Sequence, residues 1–308
     1  MNLQERARRY MKAQHLGRQE MAELVDLRCR NLSLYLDGLP ECHREEVEAV
    51  LGAYFLKVER IEGRAHRPEF IPTLTASLML EKLGEADERQ ALALLYGPPG
   101  IGKTFAVEEF MDRIEKQNGP DKPEILLVTA HSASTPKSLM AALCLQAGIP
   151  HQGTASTLAE RLVRKVEAGP YLIIVDEANH LNIAAMELLR YVYDLGHLGV
   201  VLVGTLQLYQ IFTDGSRPAG ELEQLWSRVG ICELLPGLTE HEARQMIQKA
   251  LGCTPETTTK QILRQTGNSI RRLTKFLGHL KELQELNGDR EIDDLLPVAA
   301  NGLLTVLP

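Results

Sequence analysis

The chain has 308 residues, which is enough for two or three domains with a substantial hydrophobic core. Its net charge of −7 argues against a protein that binds nucleic acid by bulk charge alone, although local basic faces are compatible with it. Five cysteines without paired spacing indicate neither a zinc site nor a disulfide framework, and Cys144 and Cys232 are expected to be buried. The chain shows no signal-peptide pattern and no apolar run of membrane-spanning length, so we expect a cytoplasmic protein without membrane contact.

Two short helices joined by a turn are predicted near the start of the chain, over residues 18–25 and 28–36. Ala22 is the small residue expected where the helices cross. This pattern is typical of a helix-turn-helix, whose second helix enters the major groove of DNA. The second helix offers four candidate contacts to bases or phosphates: Arg28, Arg30, Asn31 and Ser33.

The same region also fits a small helical protein-interaction domain, since the turn lacks the glycine common in a helix-turn-helix. Residues 1–30 carry seven Lys or Arg against four acids, which favours DNA. An acidic amphipathic helix is predicted over residues 44–59. Residues 63–68 are predicted to be a linker, so the N-terminal helical domain spans residues 1–62.

A phosphate-binding loop lies between a strand-like apolar run at residues 90–96 and a helical pattern at residues 105–116. Its glycines let backbone N–H groups turn towards phosphates, and the helix N-terminus adds partial positive charge. Lys103 can reach the β- and γ-phosphates of ATP, and the Thr104 hydroxyl can ligate Mg²⁺. The loop consists of Gly97, Pro98, Pro99, Gly100, Ile101, Gly102, Lys103 and Thr104.

A second apolar run, at residues 171–175, ends in Asp176 and Glu177. Such runs are typical of central parallel strands, whose carboxyl ends face the ligand crevice of an α/β sheet. Asp176 is expected to hold Mg²⁺ through water, and Glu177 to polarise the water that attacks the γ-phosphate. By itself the acidic pair could cap the helix that follows, but together with the phosphate-binding loop it favours catalysis.

Three positions nearer the C-terminus are candidates to complete the site, two of them with an alternative residue. Thr205 follows a predicted strand at residues 199–204 and can position the attacking water. Arg228 precedes another apolar run and can reach a neighbouring subunit's γ-phosphate, with Arg217 as a second candidate for this role. Arg271 can fold back on the nucleotide, with Arg272 as its alternative. Ordinary surface ion pairs are the other interpretation of Arg228 and Arg271.

A capping box at Thr239 and Glu242 predicts the start of a helical C-terminal region. The break at Pro236 and Gly237 separates this region from the strands before it. We therefore predict an α/β nucleotide-binding core over residues 69–236 and a helical domain over residues 237–308.

These elements, in this order, resemble AAA+ ATPases of the initiator-like branch, and more closely the phage Mu B-like family of target-selection proteins in DNA transposition. The resemblance is carried by residues 96–104, 172–181, 201–205 and 227–229, with residues 69–75 ahead of the core. It implies a P-loop AAA+ core with a parallel sheet and flanking helices, a helical C-terminal lid and an N-terminal helix-turn-helix domain. Asn179 and Thr205 depart from the aspartate and asparagine common in the family.

The resemblance also implies how the protein works. ATP would favour a homo-oligomeric filament or ring on double-stranded DNA of almost any sequence, this assembly would recruit a transposase, and hydrolysis would loosen it. In the family, the loop after the second strand lines the bore of the assembly, which makes Ser134, Thr135 and Lys137 candidate contacts to DNA phosphates. The alternative for Thr135 is the cap of a helix that starts at Pro136.

Two other functions are compatible with the same motifs. A helicase loader or replication initiator would have much the same core, and only its partner, a helicase instead of a transposase, would distinguish it. A nucleotide-gated regulator would use residues 1–52 to bind one operator or a protein.

Overall fold

A five-stranded parallel sheet forms the centre of the molecule. The computed structural model describes residues 2–39, 43–64, 70–117, 119, 122–213, 222–252, 255–267, 269–286 and 292–305. The strands are β1 (Leu92–Tyr96), β2 (Glu124–Thr129), β3 (Tyr171–Asp176), β4 (Gly199–Gly204) and β5 (Val229–Leu234). Their order is β2-β3-β4-β1-β5, and each neighbouring pair is parallel, so the carboxyl ends of all five meet at one edge.

The predicted central strands are confirmed by their burial. All six residues of β3 and all six of β4 are buried. Successive side chains point to opposite faces of the sheet. Ile173 and Val175 accordingly join one hydrophobic cluster, while Leu172 and Ile174 join a second. This two-sided burial explains why the sequence shows an uninterrupted apolar run here instead of an alternating one.

The edge strand β5 corrects one prediction. Cys144 is buried as expected, but Cys232, in the middle of β5, is exposed. Within β5 only Ile231 is buried, because this strand pairs with β1 on one side only. The apolar run at residues 229–235 therefore marks an edge strand and not a central one.

Helices cover both faces of the sheet. On one face lie α5 (Leu74–Glu88) and α6 (Lys103–Lys116). The other face is covered by α7 (Pro136–Gln146), α8 (Ala155–Val166), α9 (Ile183–Gly196), α10 (Leu206–Thr213) and α11 (Glu223–Trp226). The result is a three-layer α/β core, which is the layer architecture that alternating strands and helices predict.

Four helices precede this core and share their own hydrophobic cluster. They are α1 (Leu3–Ala13), α2 (Arg18–Leu24), α3 (Cys29–Leu36) and α4 (Arg44–Arg64). Ala22 is 1% exposed where α2 meets its neighbours, in agreement with the sequence. Helix α4 continues through residues 63 and 64, where the sequence predicts the linker to begin. The rest of that linker, residues 65–68, lies outside the described residues.

The turn between α2 and α3 has a special backbone conformation at Asp26. Its φ angle is +53°, in the left-handed region where glycine is favoured. Aspartate tolerates this region better than most residues because its short polar side chain can hydrogen-bond locally. The glycine missing from the predicted turn is thus replaced by a residue that adopts the same conformation.

Four further helices follow the core and form a fourth hydrophobic cluster, around Phe276. They are α12 (Glu240–Leu251), α13 (Glu256–Thr266), α14 (Ile270–Leu286) and α15 (Ile292–Thr305). The predicted capping box is present: the Thr239 side chain accepts from the backbone N–H of Glu242, and the Glu242 carboxylate accepts from the N–H of Thr239. The same carboxylate also accepts from the backbone N–H of Leu74 at 2.5 Å, which ties α12 to the start of α5.

The N-terminal helices contact the opposite end of the core. Lys57 on α4 forms a 2.7 Å ion pair with Glu124 at the start of β2. Over the described part of the chain, no helix is both long and apolar enough to cross a membrane.

Candidate nucleotide site

The phosphate-binding loop connects β1 to α6, as predicted. Gly100 and Gly102 have φ angles of +77° and +91°, which side-chain-bearing residues rarely adopt. Gly102 is the N-cap of α6, and no side chain caps this helix. The first backbone N–H groups of α6 are therefore available to an anion at the carboxyl edge of the sheet.

Lys103 is held inside this loop. It is 6% exposed, and its Nζ donates to the carbonyl oxygens of Gly97 at 3.0 Å and Pro98 at 2.8 Å. Burial lowers the pKa of Lys103, and the nearby carboxylates of Glu177 and Asp176 partly oppose this effect. The carbonyl oxygens are neutral partners, so the negative charge of a polyphosphate entering the loop would be strongly attracted to this buried cation.

A hydrogen bond joins the phosphate-binding loop to the acidic pair. The Thr104 hydroxyl donates to Oδ2 of Asp176 at 2.6 Å. Asp176 is 2% exposed, and its Oδ1 accepts from the backbone N–H of Glu177 at 2.8 Å. A hydroxyl and a carboxylate at this separation form the hard oxygen donor set that suits Mg²⁺.

Glu177 stands directly after β3 in an unusual conformation. Its φ angle is +52°, and it is the residue before a short 3-10 turn, Ala178–His180. Left-handed backbone at a glutamate is strained and is concentrated at functional sites. The Glu177 side chain lines the same cavity as the phosphate-binding loop.

Thr205 lies at the end of β4, between the strands that lead to Asp176 and to the loop. Its backbone N–H donates to Oδ1 of Asn179 at 3.1 Å. Since β4 separates β3 from β1, Thr205 occupies the position at the carboxyl edge from which a side chain can face both halves of the site.

The cavity beside the loop has a volume of about 400 Å³. Besides the loop, Glu177 and Arg271, it is lined by Ile71, Thr73, Ala76, Phe105, Glu108, Ile270 and Thr274. These residues come from three segments that are distant in sequence. A mostly apolar pocket next to a phosphate site is suited to a nucleotide base. Of these segments, only residues 69–75 belong to the family resemblance, and no pattern in the sequence predicts the pocket.

Arg271 reaches the site from α14. Its backbone N–H donates to the Gly100 carbonyl at 3.1 Å, and its side chain lines the cavity, whereas Arg272 does not. The positive charge of Arg271 also contributes to the lowered pKa of Lys103. Of the two arginines proposed from sequence, Arg271 is therefore the one placed to meet a nucleotide.

Arg228 is not brought into the site of its own chain. Its Nε lies 3.3 Å from Oδ1 of Asp194 on α9, its side chain is 42% exposed, and it does not line the cavity. The chain by itself thus shows the surface ion pair considered as the alternative. A role at a neighbour's nucleotide remains compatible with this exposed position. Arg217 lies outside the described residues.

The predicted DNA contacts fall in two places. Arg28 and Arg30 are exposed at the start of α3, and Asn31 and Ser33 are partly exposed on it. In the loop after β2, the Ser134 hydroxyl accepts from the N–H of His131.

Thr135 is confirmed as the cap of α7, because its hydroxyl accepts from the N–H of Ser138. Lys137 is exposed in the first turn of that helix. Contact of DNA with the residues of α3, or with Ser134, Thr135 and Lys137, stays a prediction.

Comparison with known proteins agrees with this geometry. Residues 86–212, from the end of α5 to α10, match the family model described as an AAA domain. A Walker-type ATPase of Pyrococcus abyssi has a similar fold, with a TM-score of 0.53 over 78% of this chain and 75% of that one at 17% identity. The chain thus has the P-loop AAA-type α/β fold, a class of nucleotide-binding domains.

Two relatives narrow this class. The Mu-like prophage FluMu DNA transposition protein B of Haemophilus influenzae is 30% identical over 89% of this chain and 95% of its own length. The ATP-dependent target DNA activator B of Escherichia phage Mu is 27% identical over 64% of this chain and 61% of its own length, which is less than two thirds of it. The chain belongs to the Mu B-like family of DNA transposition proteins.

The approach of α14 to the loop predicts a strong effect of Gly100→Ala. A Cβ at Gly100 would lie 2.5 Å from Ser269 Oγ, in addition to the strain of a φ angle of +77°. We expect nucleotide affinity to fall by at least about ten-fold, since the alanine would strain the loop backbone and push the Ser269 hydroxyl off the Gly100 carbonyl to which it donates. The measurement is titration with a fluorescent ATP analogue.

Gly252→Ala is the matched control for this change. Gly252 has a φ angle of +76°, but no atom of the described residues lies within 4 Å of an added Cβ. It therefore carries the backbone strain alone, and nucleotide affinity should stay as in the wild type. Equal affinities for both variants and the wild type would contradict the close approach of Ser269 to the loop.

Proposed function

We propose that this protein is an ATPase that uses the nucleotide state to control its own assembly on double-stranded DNA during transposition. The observation that supports it most is the convergence of the buried Lys103, the Thr104–Asp176 pair and Glu177 at one edge of the sheet. These groups come from the start of α6 and the end of β3, and together they would provide phosphate, metal and water sites.

The chemistry follows from the groups at this edge. The N–H groups of α6 and Lys103 would bind the β- and γ-phosphates, and Mg²⁺ held by Thr104 and Asp176 would supply charge neutralisation on them. Glu177 would accept a proton from the attacking water or orient it, and Thr205 would hold that water in line. Each of these groups acts from a position fixed by the sheet, so little reorganisation is needed when the reaction begins.

The helical C-terminal domain would act as a lid that senses the nucleotide. Arg271 reaches the cavity from α14, and its backbone is bonded to the loop at Gly100. Loss of the γ-phosphate would remove the anion nearest to this arginine. The four C-terminal helices would then shift relative to the core, as a body with its own hydrophobic cluster.

Arg228 would complete the site of a neighbouring subunit. It is exposed, and the ion pair with Asp194 is of the kind worth only about 0–1 kcal/mol, so exchanging it for a triphosphate costs little. A site that needs this arginine from another copy would hydrolyse ATP only in the assembly. Such dependence would couple hydrolysis to a filament or ring.

The DNA role rests on the family and on the N-terminal helices. The phage Mu relative is named as an activator of target DNA. We propose that α2 and α3 form a helix-turn-helix domain, with Arg28 and Arg30 on the surface that meets DNA, and that Lys137 contacts phosphates from the core. The assembled protein would recruit a transposase to this DNA, and hydrolysis would release it.

The first test is negative-stain electron microscopy of the purified protein with random-sequence duplex DNA, with ATP, with ADP and without nucleotide. We expect filaments or rings on the duplex with ATP only. Lys103→Ala should abolish nucleotide binding and these assemblies together, because the phosphates lose their buried cation. Assemblies that are the same with Lys103→Ala would remove ATP from the scheme, and single particles at one site would favour a nucleotide-gated regulator.

Glu177→Gln should separate binding from release. The amide cannot accept a proton, so hydrolysis should fall by roughly 10²-fold or more while ATP affinity is kept. Assemblies on DNA should therefore dissociate much more slowly than those of the wild type. This is measured by the loss of fluorescence anisotropy of labelled DNA after a chase with unlabelled DNA, and dissociation at the wild-type rate would show that hydrolysis is not the release step.

Mixing two inactive variants tests whether Arg228 acts on a neighbour. Arg228→Ala should lower DNA-stimulated hydrolysis by up to about 10³-fold in pure form. Mixed with Glu177→Gln, it should regain activity, because intact arginines of one variant then face intact glutamates of the other. No recovery over a range of mixing ratios would assign Arg228 to the ion pair with Asp194 alone.

A further inference from the structure

We propose that Asn179 is a positioning residue that fixes Glu177 and Thr205 relative to the phosphate-binding loop. The inference rests on the proposed ATPase function, and it assigns a role to a residue outside the phosphate, metal and water-binding groups described above.

Two hydrogen bonds connect three backbone segments through Asn179 and Gly204. Its Oδ1 accepts the N–H of Thr205 at 3.1 Å, and the carbonyl of the preceding residue, Gly204, accepts the N–H of Gly97 at 3.2 Å. The turn after β3, the end of β4 and the first residue of the loop are thus connected in series. Because the donor is a backbone N–H, the acceptor on Asn179 must be its carbonyl oxygen, which fixes the orientation of the amide.

The contact between Asn179 and β4 is close enough to be specific. A Cβ at Gly204 would lie 2.8 Å from Asn179 Oδ1 and 2.9 Å from Leu208 Cδ2. Leu208 is fully buried and cannot move away. Only glycine at this position lets the amide approach the end of the strand.

The constraint acts on Glu177, two residues before Asn179. Glu177 has a left-handed backbone, and the turn that follows is closed by the N–H of His180 on the Glu177 carbonyl at 3.0 Å. A strained residue keeps its conformation only when its surroundings determine it. Asn179 supplies that restraint by anchoring the turn that carries Glu177 to the end of β4, where Thr205 follows the strand.

An amide suits this position because it accepts a hydrogen bond without adding a charge. Asp176 and Glu177 already place two carboxylates at this edge. A third carboxylate would add negative charge beside them and compete for the cation. A carboxylate could still accept the N–H of Thr205, so aspartate should preserve the geometry.

The test compares steady-state ATP hydrolysis and nucleotide affinity in Asn179→Ala, Asn179→Asp and Gly204→Ala, using the full chain with DNA. We expect Asn179→Ala to lower kcat by about 10- to 100-fold, with KM and the Kd for ATP within about two-fold of the wild type, since misplacement of about 1 Å has this cost. Asn179→Asp should restore most of kcat at saturating Mg²⁺. Gly204→Ala should reproduce the loss.

Asn182→Ala is the matched control, three residues along the chain. Asn182 is also an asparagine that accepts one backbone N–H, that of Ala185 at 2.9 Å, but this bond caps α9 and is not directed at β4. It should lower the melting temperature as much as Asn179→Ala does, without the loss of kcat.

Three results would overturn the inference: a kcat of Asn179→Ala close to that of Asn182→Ala, a failure of aspartate to restore activity, or a rise in the Kd for ATP that accounts for the loss. Absence of hydrolysis by the wild type itself would instead refute the proposed ATPase function and this inference with it, because there would be no attacking water to position.

Discussion

The parallel pairing of β3, β4 and β1 is the constraint on which the rest of the site depends. Parallel strands bring their carboxyl ends to one edge, and at this edge the Thr104 hydroxyl meets the Asp176 carboxylate at 2.6 Å. The two residues lie 72 positions apart in the sequence. No local interaction could bring them together, so the sheet, with its two hydrophobic faces, provides the free energy that holds the polar site.

That free energy has to offset the cost of burying charged groups. Lys103 and Asp176 are almost fully buried, and isolated charges in such positions are expensive. Here each has backbone or side-chain partners, and the two charges have opposite signs. These partners stabilise the two buried charges without nucleotide, but a triphosphate with Mg²⁺ would stabilise them further. Binding of such a ligand would therefore recover part of the free energy that folding spends on burying these charged groups.

Some of the predicted site residues line the nucleotide cavity of their own chain, whereas Arg228 lies on the surface. The phosphate-binding loop, Glu177 and Arg271 line one cavity. Arg228, directly before β5, is instead exposed and forms an ion pair with Asp194 on α9. The N-terminal helices contact the core at the amino end of β2, away from the carboxyl edge. Under the proposed function, this division would let one chain bind ATP alone but hydrolyse it only next to another copy.

The sequence by itself determined the groups whose roles depend on local pattern. The phosphate-binding loop, the acidic pair after an apolar run, the capping box at Thr239, the cap at Thr135 as one of two alternatives, and the helices α2 to α4 follow from glycine spacing, apolar periodicity and cap residues. Helix α1 was not predicted. These features depend on a few neighbouring residues, and they were predicted within a few residues of their observed bounds. The functional roles of the site residues were predicted as well, and they remain predictions.

Only the tertiary structure decided what depends on distant segments. The strand order placed β5 at an edge and exposed Cys232, which its sequence alone does not distinguish from a buried position. The cavity beside the phosphate-binding loop, the placement of Arg271 and not Arg272 at this cavity, and the contact of Asn179 with Thr205 each join segments that are far apart in the chain. Their proximity is fixed by how helices and strands pack, and packing depends on the whole core at once, so no short stretch of sequence carries it.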